Sequence, residues 1–399
     1  MAIIFNIGES VKLSAFNMLQ EPIKMLMEKE TEAFEKGSLI SKIYQMKTTD
    51  KFQEEFRSRT AMDGFKPTED MQVPGLSDFG EGYRKVFRTQ IWTNAFVISK
   101  QTIEDNQTMD INANAVGFIK SYNRTRELFA FKMLGEAVSS ATGFGTFGDK
   151  KFDLRGSDTT DGSVDGTGTP QLYFHNAHKL AGDPSKTQSN KFHTKTAINL
   201  GEAGAVEKVI DAIEQVAQAM GKYTDEKGNL LALSPTQIVI PGNQYKLRDA
   251  IITGLKSKYG SSMGENGVNL FYGKYEIIEA PYLDGQGGFG DNDQGILLID
   301  PVANREYLGA VWFDRTPLEV SSHIDEDTKA NVWDGRARFG VGFCNYRAMA
   351  YLNTGSTITD ATNTGDKYHS TGIDVTPLAG GAKAVNVINT VKTQAQAQG

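Results

Sequence analysis

A glycine pattern is the first candidate for chemistry in this chain. Gly285, Gly287 and Gly290 match GxGxxG, the pattern of loops that bind dinucleotides. Such a loop needs a helix directly after the glycines, to present its N-terminus to the phosphates. Here the residues DND and then the predicted strand ILLID follow instead. We therefore interpret the pattern as a turn, and the sequence contains no GK[ST] phosphate loop.

Histidine and aspartate patterns lack the ligands that a metal ion needs. His175 and His178 form an HxxH pair, with His193 further along the chain. Zinc uses three or four ligands on a rigid frame, and no HExxH pattern or cysteine pair supports such a site. We interpret these histidines as surface-loop residues. The segment DTTDGSVDG, residues 158–166, lacks the order and the closing glutamate of an EF-hand, so a solvated loop is favoured over a weak calcium contact.

Nucleophilic catalysis has no support either. The sequence has no GxSxG elbow to activate a serine. Cys344 follows a hydrophobic strand, where a buried and inert thiol is expected. As the only cysteine, it excludes an intrachain disulfide and suits a reducing cytoplasm. The sequence therefore predicts a protein that is not an enzyme and holds no cofactor or metal.

Composition limits the class of protein further. At 399 residues the chain exceeds the roughly 250–300 residues at which single cores stop growing, so two or more units are expected. A hydrophobic content of 39% is ordinary for a globular protein. The net charge of −7 argues against a primary role in binding duplex DNA. No apolar run reaches the roughly 18 residues that a membrane-spanning helix needs, so none is expected. No basic segment precedes the short apolar run at the N-terminus, so a secretory signal is not expected either.

Residues 96–136 organise the predicted elements. They indicate the end of a strand, a short acidic helical turn capped by Ser99, and one long helix capped by Thr108. Gly117 and Arg126 interrupt the apolar positions of this helix, so we expect its less apolar face to be covered partly by another chain. The apolar positions at helical spacing are Ile111, Ala115, Phe118, Ile119, Tyr122, Phe129, Ala130 and Met133.

The segments before the long helix are predicted to be an arm and a hairpin. In the arm, a helix is predicted from Pro22 to Gly37, either as an ordinary surface helix or as an element that packs on a neighbour. In the hairpin, strands at 51–60 and 82–96 flank a polar turn. An isolated two-stranded hairpin is marginal in water, so we expect its partner surface on another subunit, with its own domain as the alternative.

Aromatic and basic residues of the hairpin are the predicted contacts with that subunit, and Lys85 is a further candidate to pair with a carboxylate. The candidates are Phe52, Phe56, Arg57, Arg59, Tyr83, Arg84, Phe87, Arg88 and Trp92.

The rest of the chain is predicted to alternate between loops, helices and strands. Residues 139–169 are expected to be a loop or insertion, and 172–193 to be polar and irregular. An amphipathic helix spans 202–220, and a second helix runs from Asn243 through Ile252. Strands are predicted at 236–241, 275–279, 295–300, 306–313, 318–321 and 332–343, and one short strand in the tail near 385–391.

This order of elements resembles the major capsid proteins of tailed bacteriophages, with the Hong Kong-phage-type fold. The passages that carry the resemblance are GYRKVFRTQIWTNAFVISKQTIEDN, LSPTQIVIPGNQYKLRDAI and WDGRARFGVGFCNYRA, while LYFHNAHKLAGDPSKTQSN resembles a segment in head proteins of Mu-like phages. The resemblance implies an α+β fold whose parts are an N-terminal arm at 1–47, an extended hairpin loop at 48–95, a peripheral domain with the long helix and an insertion at 96–201, an axial α/β domain at 202–315, return strands of the peripheral domain at 316–353 and a C-terminal extension at 354–399.

The function implied by this resemblance is structural. The protein would self-assemble into hexamers and pentamers of an icosahedral head that encloses double-stranded DNA without sequence-specific contacts. It would be part of the virion and would be assembled in the cytoplasm of a bacterial host. Its partners would be a portal and possible decoration proteins, and it would not contact a membrane. Because the chain starts at Met1 with no room for a cleaved scaffolding segment, a separate scaffold protein is also expected.

Two other functions stay open from the sequence. One is the shell of an encapsulin-like nanocompartment, which neighbouring genes for a cargo enzyme would distinguish from a phage head. The other is a two-domain soluble enzyme with a pocket near Gly285, which a thermal-shift screen with nucleotides and metals would test.

Overall fold

Two β-sheets form the frame of the protein, as seen in a computed structural model. The structure describes residues 4–7, 14–59, 62, 64–65, 67, 70, 81–105, 108–140, 142–156, 171–180, 183–225, 227–256, 271–283, 294–328, 330–355 and 371–373. Within these ranges, no helix is both long enough and apolar enough to cross a bilayer. The mixture of helices and sheets confirms the predicted α+β class.

The helices are α1 Ser14–Gly37, α2 Ile40–Ile43, α3 Lys100–Glu104, α4 Thr108–Ser139, α5 Ala205–Gly221, α6 Tyr245–Lys256 and α7 Pro301–Glu306. The strands are β1 Ile4–Ile7, β2 Gln45–Thr48, β3 Gln53–Arg59, β4 Glu81–Arg88, β5 Gln90–Ile98, β6 Phe144–Phe147, β7 Lys150–Asp153, β8 His178–Leu180, β9 Asp183–Gln188, β10 Lys191–Thr194, β11 Gln237–Pro241, β12 Glu276–Ala280, β13 Gly295–Ile299, β14 Ala310–Ile324, β15 Asn331–Phe343, β16 Met349–Asn353 and β17 Thr371–Ile373.

The first sheet, sheet A, is built on the long antiparallel pair β14 and β15. Its register runs from Ala310 opposite Phe343 to Ile324 opposite Asn331. Strand β5 lies antiparallel to β15 and forms one edge of the sheet. At the other edge, β1 and β2 pair in parallel with different halves of β14.

One face of sheet A is covered by α4. With 32 residues at about 1.5 Å each, α4 is a rod of about 48 Å. All the predicted apolar positions of α4 are buried except Tyr122, which is half-buried. Helix α1 packs on α4 in turn, with Ile23 and Met27 fully buried. The predicted cap at Ser99 is confirmed, since its Oγ accepts a hydrogen bond of 3.1 Å from the Thr102 amide.

Glycines in β15 let other layers approach the backbone of sheet A on both faces. A Cβ on Gly335 would lie 2.4 Å from Cζ of Phe118 in α4. A Cβ on Gly342, on the opposite face, would lie 2.0 Å from the ring of Phe87 in β4. Since a side chain at either position would collide with an aromatic ring, both contacts depend on glycine.

The second sheet, sheet B, has the strand order β12-β11-β13-β16-β10-β17. Strand β13 is buried along its whole length, as expected for a strand covered on both faces. The predicted apolar stripe of α5 is confirmed, with Val209, Ile213 and Val216 fully buried. One continuous hydrophobic core joins α4, sheet A and sheet B.

Several predicted boundaries are wrong. Helix α1 begins eight residues before Pro22, so the proline lies inside the helix. Because proline has no backbone N–H, the carbonyl of Met18 receives no helical hydrogen bond from residue 22. The predicted strand at 82–96 is divided near Thr89 into β4 and β5, which belong to different sheets. The predicted strand at 306–313 starts only at Ala310, because Asp300 caps α7 by accepting hydrogen bonds from the Val302 and Ala303 amides.

Three predicted irregular regions contain structure. The predicted loop at 139–169 includes the hairpin β6–β7, in which Phe147 and Phe152 pack against Phe129 of α4. The region 172–193 contains β8, β9 and β10, and Tyr173 is fully buried. In the tail, β17 pairs with β10. The strand predicted near 385–391 lies outside the described residues.

The glycine contact under α4 leads to a test. Gly335→Ala should lower the free energy of unfolding by about 1–3 kcal/mol, because the new methyl group overpacks against Phe118. Gly117→Ala is the matched control, since nothing lies within 4 Å of that position and an exposed helical alanine should add about 0.5–1 kcal/mol. Denaturant unfolding of the unassembled chain gives both values, and equal midpoints for the two variants would contradict this packing.

Candidate functional site

The three histidines do not form the surface group that the sequence suggested. His178 is fully buried, its ring stacks on Tyr346 at 3.8 Å between centroids, and its Nε2 lies 2.9 Å from Oδ1 of Asn190. His193 is buried as well, and Nδ1 of His175 accepts a hydrogen bond from the Ala177 amide. The interpretation as surface-loop residues is therefore wrong, because the segment folds into the core beside sheet B.

No metal centre is evident in the part of the chain that the structure describes. No group of three histidine, cysteine, aspartate or glutamate side chains within it could hold a metal ion. The GxGxxG segment and the acidic segment 158–166 lie outside the described ranges.

Cys344 is buried, as predicted. Burial raises the pKa of its thiol to about 12, although the nearby Lys85 ammonium opposes this shift. The thiol therefore stays protonated at neutral pH, and its nucleophilicity is suppressed.

The base of the predicted hairpin, residues 53–56 and 85–88, rests on its own chain. The rings of Phe56 and Phe87 lie 5.6 Å apart, and both lie within 6 Å of the Phe313 ring on sheet A. Phe87 is only 6% exposed, and burying a phenylalanine contributes about 1.5–3 kcal/mol. The hairpin base is therefore part of the folded subunit.

A buried cation also holds the hairpin base. Nζ of Lys85 lies 3.0 Å from Asp153 and donates a 2.6 Å hydrogen bond to the carbonyl of Arg155, both in or beside β7. Burial lowers the pKa of Lys85, and the Asp153 carboxylate opposes that shift. Burial raises the pKa of Asp153, but the hydrogen bonds from Arg155 and the Lys85 charge outweigh it and the net shift is downward. These contacts of Lys85 tie the hairpin to the β6–β7 insertion.

Trp92 belongs to the core under α4. Its ring stacks on Phe339 at 4.6 Å, and its Nε1 donates a 3.2 Å hydrogen bond to the Phe339 carbonyl. Phe87 and Trp92 thus make aromatic contacts within their own chain, and a contact of either residue with another subunit stays a prediction. The sequence did not reveal this because the division of the 82–96 segment between two sheets has no local signal.

The remaining candidates lie further along the hairpin or at its surface. Phe52 is 60% exposed, and Arg88 is exposed and makes no ion pair with any described residue. Met62 and Phe65, which the sequence analysis did not single out, are also exposed. The side chains of Arg57, Arg59, Tyr83 and Arg84 lie outside the described part of the structure, although their backbones belong to β3 and β4.

The sequence suggested that Arg126 faces away from the core, but in the structure this residue is buried. Its guanidinium is buried between α4 and sheet A, 3.4 Å from the Asp314 carboxylate and 5.3 Å from the centroid of the Trp312 ring. Asp314 also accepts a 3.0 Å hydrogen bond from Trp312 Nε1. Burial raises the pKa of Asp314, while the Arg126 charge opposes the shift. The expectation that Arg126 interrupts the buried face of the helix is therefore wrong.

Comparisons with known proteins give a consistent result. Residues 82–352 match the phage capsid protein family. No curated protein matches the sequence. Among solved structures, the chain is similar to the mature capsid of bacteriophage PhiM1, with 12% identity over 78% of this chain and 85% of that one and a TM-score of 0.46. The chain is also similar to the capsid of a native GTA particle, with 14% identity over 79% of this chain and 90% of that one and a TM-score of 0.44. A virus-like particle from Pyrococcus furiosus is similar with 11% identity over 83% of this chain and 98% of that one and a TM-score of 0.41.

The buried ion pair between α4 and sheet A gives a second test. Arg126→Met should lower the free energy of unfolding by about 3–5 kcal/mol at neutral pH, because it leaves Asp314 charged and unpaired in the core. The double variant Arg126→Met/Asp314→Asn should be less destabilised than Arg126→Met alone.

The same variant has a predicted pH dependence. Without the Arg126 charge, the pKa of Asp314 rises further above its unfolded value, so protonation of the folded state relieves the penalty. The stability gap between wild type and Arg126→Met should therefore shrink as the pH falls from about 7 towards 5. Denaturant unfolding at several pH values measures this gap, and a constant gap would contradict a charged Asp314.

The buried lysine gives a third test. Lys85→Met should make the amides of β3 and β4 exchange with solvent about tenfold faster, because the tie to Asp153 and Arg155 is lost. Arg88→Gln, three residues along the same strand and without an ion pair, is the control and should leave exchange unchanged. Hydrogen exchange measured by mass spectrometry resolves this strand pair, and equal rates in the two variants would show that Lys85 does not hold the hairpin base.

Proposed function

The chain belongs to the phage capsid protein family, and from this we propose that its copies form the hexamers and pentamers of an icosahedral head that encloses double-stranded DNA. It is a structural protein and not an enzyme, and its place is the virion. The observation that carries the proposal is the family match over 82–352, which includes β4, α4 and most of both sheets.

The hairpin supports the proposal physically. Its base is fixed by the Phe56–Phe87–Phe313 contacts and by Lys85, so the position of the strands relative to sheet A is defined before any neighbour binds. Preorganisation of this kind lowers the entropy lost on association. Exposed side chains remain for contact with a neighbouring subunit. We retain Phe52 and Arg88, which lie at the base, and add Phe65, which lies further along the hairpin.

The two sheets correspond to the two domains that we propose for the subunit. Sheet A with α4 forms the peripheral domain, centred on residues 96–201 and 316–353, and it also takes in β1, β2, most of β5 and the first part of β14. Sheet B with α5 and α6 forms the axial domain, centred on 202–315, at the middle of each capsomer. Strands β10 and β16 cross between these ranges and join sheet B, which couples the domains through one core.

Further partners belong to the same proposal. A separate scaffold protein, a portal and decoration proteins would take part in assembly in the cytoplasm of the bacterial host. The net charge of −7 supports a shell that encloses DNA without binding it tightly, because tight binding to duplex DNA needs concentrated basic residues.

Electron microscopy of the purified full chain tests this function. We expect shells or capsomers, either from the chain alone or after co-expression with the neighbouring genes of its genome. A chain that stays monomeric by light scattering under both conditions would overturn the proposal. An encapsulin-like nanocompartment is the alternative, and a co-purified cargo enzyme inside the shells would favour it over a phage head.

The exposed hairpin residues give a fourth test. Phe52→Ser/Phe65→Ser should leave the unfolding midpoint of the unassembled chain unchanged, because neither ring is buried within it. Assembly should nevertheless require at least about tenfold more protein, since each lost aromatic contact costs about 1–2 kcal/mol at an interface. Leu230→Ser, another exposed apolar residue but far along the chain near α5, is the control. Assembly at the wild-type concentration would refute a contact through the hairpin.

A further inference from the structure

Three arginines cluster on the face of sheet A that α4 does not cover. Arg336 and Arg338 alternate along β15 with the core residues Trp333, Ala337 and Phe339, so they point away from α4. Arg315 lies in the bulge of β14 between Asp314, which pairs with Phe339, and Thr316, which pairs with Arg338. In agreement with this register, burial and then the charges of Arg315 and Arg336 lower the pKa of Arg338. We call Arg315, Arg336 and Arg338 the arginine cluster.

The arginine cluster has no acidic partner among the described residues. None of the three side chains forms an ion pair, even though Glu319 lies opposite Arg336 in the sheet register. Nη1 of Arg315 and Nε of Arg338 are shielded from solvent without a hydrogen bond. Like charges that lie close together repel each other, and a shielded N–H group without a partner is unfavourable, so an acidic group from outside the subunit would relieve both costs.

The surroundings of the cluster are those of a protein interface. In β5, which pairs with β15, Ile91 is 54% exposed and Val97 is 56% exposed. Ile91 lies opposite Arg338 in the register. Arginine beside exposed apolar side chains is typical of contacts between proteins, whereas a phosphate-binding face gains nothing from isoleucine and valine.

An acidic counterpart is present in the same chain. The turn between β14 and β15, residues 325–328, reads DEDT and is called here the acidic turn. Asp325 accepts hydrogen bonds from the Thr328 amide and hydroxyl, and the hydroxyl bond in particular lowers the pKa of Asp325. Glu326 and Asp327 are exposed and form no ion pair with any described residue.

The two groups cannot meet within one subunit. Arg336 lies five residues from Asn331, where β15 begins, and a strand rises about 3.3 Å per residue, so roughly 17 Å of sheet separates it from the acidic turn. Because β14 and β15 are a continuous pair, this separation is fixed. The acidic turn and the arginine cluster can therefore pair only between two copies of the chain.

We propose that the acidic turn of one subunit docks on the arginine cluster of a neighbouring subunit in the shell. The contact joins different surfaces of identical chains, which is the head-to-tail arrangement that closes into rings. It rests on the proposed function, because it requires that copies of the chain assemble. Paired charges of this kind also select the orientation of the neighbour, since any arrangement that brings two arginine clusters together is repelled.

A charge-exchange experiment tests the contact. Arg336→Glu/Arg338→Glu and Glu326→Lys/Asp327→Lys should each reduce the yield of shells by at least about tenfold at fixed protein concentration, because like charges then meet. The chain with all four substitutions restores opposite charges and should regain most of the wild-type yield. Lys195→Glu/Lys222→Glu, at exposed positions outside sheet A, matches the charge change of the arginine variant and should assemble like the wild type.

The outcomes separate this contact from the proposed function. If the unmodified chain forms no shells, the proposed function itself fails. If it forms shells but the four-substitution chain assembles no better than either double variant, only this contact is overturned. Normal but DNA-free shells from the arginine variant would also overturn it, because the cluster would then bind nucleic acid.

Cysteine cross-linking measures the proximity directly, on a background where the only native thiol is buried. Thr93 lies beside Arg336 in the sheet register and is exposed. Shells assembled from a mixture of Thr93→Cys copies and Glu326→Cys copies should form interchain disulfides on mild oxidation. Mixtures of Lys222→Cys and Glu326→Cys copies are the control, and equal cross-linking in the two mixtures would overturn the contact.

Discussion

The close approach of three layers at β15 is the constraint on which this fold depends. Strand β15 is covered by α4 on one face and crossed by the hairpin base on the other. Gly335 makes room for Phe118 and Gly342 makes room for Phe87, at distances that any other side chain would block. A strand covered in this way fixes the long helix and the hairpin relative to each other. The geometry of the subunit surface is then set by a few contacts with one strand.

Buried charges fix the orientation of these layers. Arg126 and Asp314 tie α4 to β14, and Lys85 ties β4 to the insertion at Asp153. Removing ions from water is costly, so buried pairs are weak evidence for net stability, but they penalise any shifted arrangement that separates the partners. We infer that these two pairs determine how the layers align, while the aromatic rings around Phe129 and Phe339 supply the apolar burial.

A capsid subunit needs surfaces that stay available to neighbours after folding. In this chain, the rings of the hairpin base and of Trp92 contact their own subunit, whereas Phe52, Phe65 and Ile91 of β5 are left exposed. The internal contacts hold the hairpin base in place. An exposed surface that is held in place by its own subunit loses less entropy when a neighbour binds. Membership of the phage capsid protein family agrees with a structural role of this kind.

The sequence alone determined the elements with a strong local signal. The apolar spacing of α4 and the apolar stripe of α5 followed from periodicity, because one face of each helix must be buried whatever its partner is. The resemblance to phage capsid proteins also came from the order of segments, and the family match confirms it. Only the tertiary structure decided which partner each face meets. Arg126 reads locally as an exposed charge, and its burial depends on Asp314, which lies 188 residues away. The local sequence of segment 82–96 predicts one strand. In the structure the segment is divided near Thr89, because β4 and β5 pair with strands of two different sheets, and pairing with distant strands leaves no local sequence pattern.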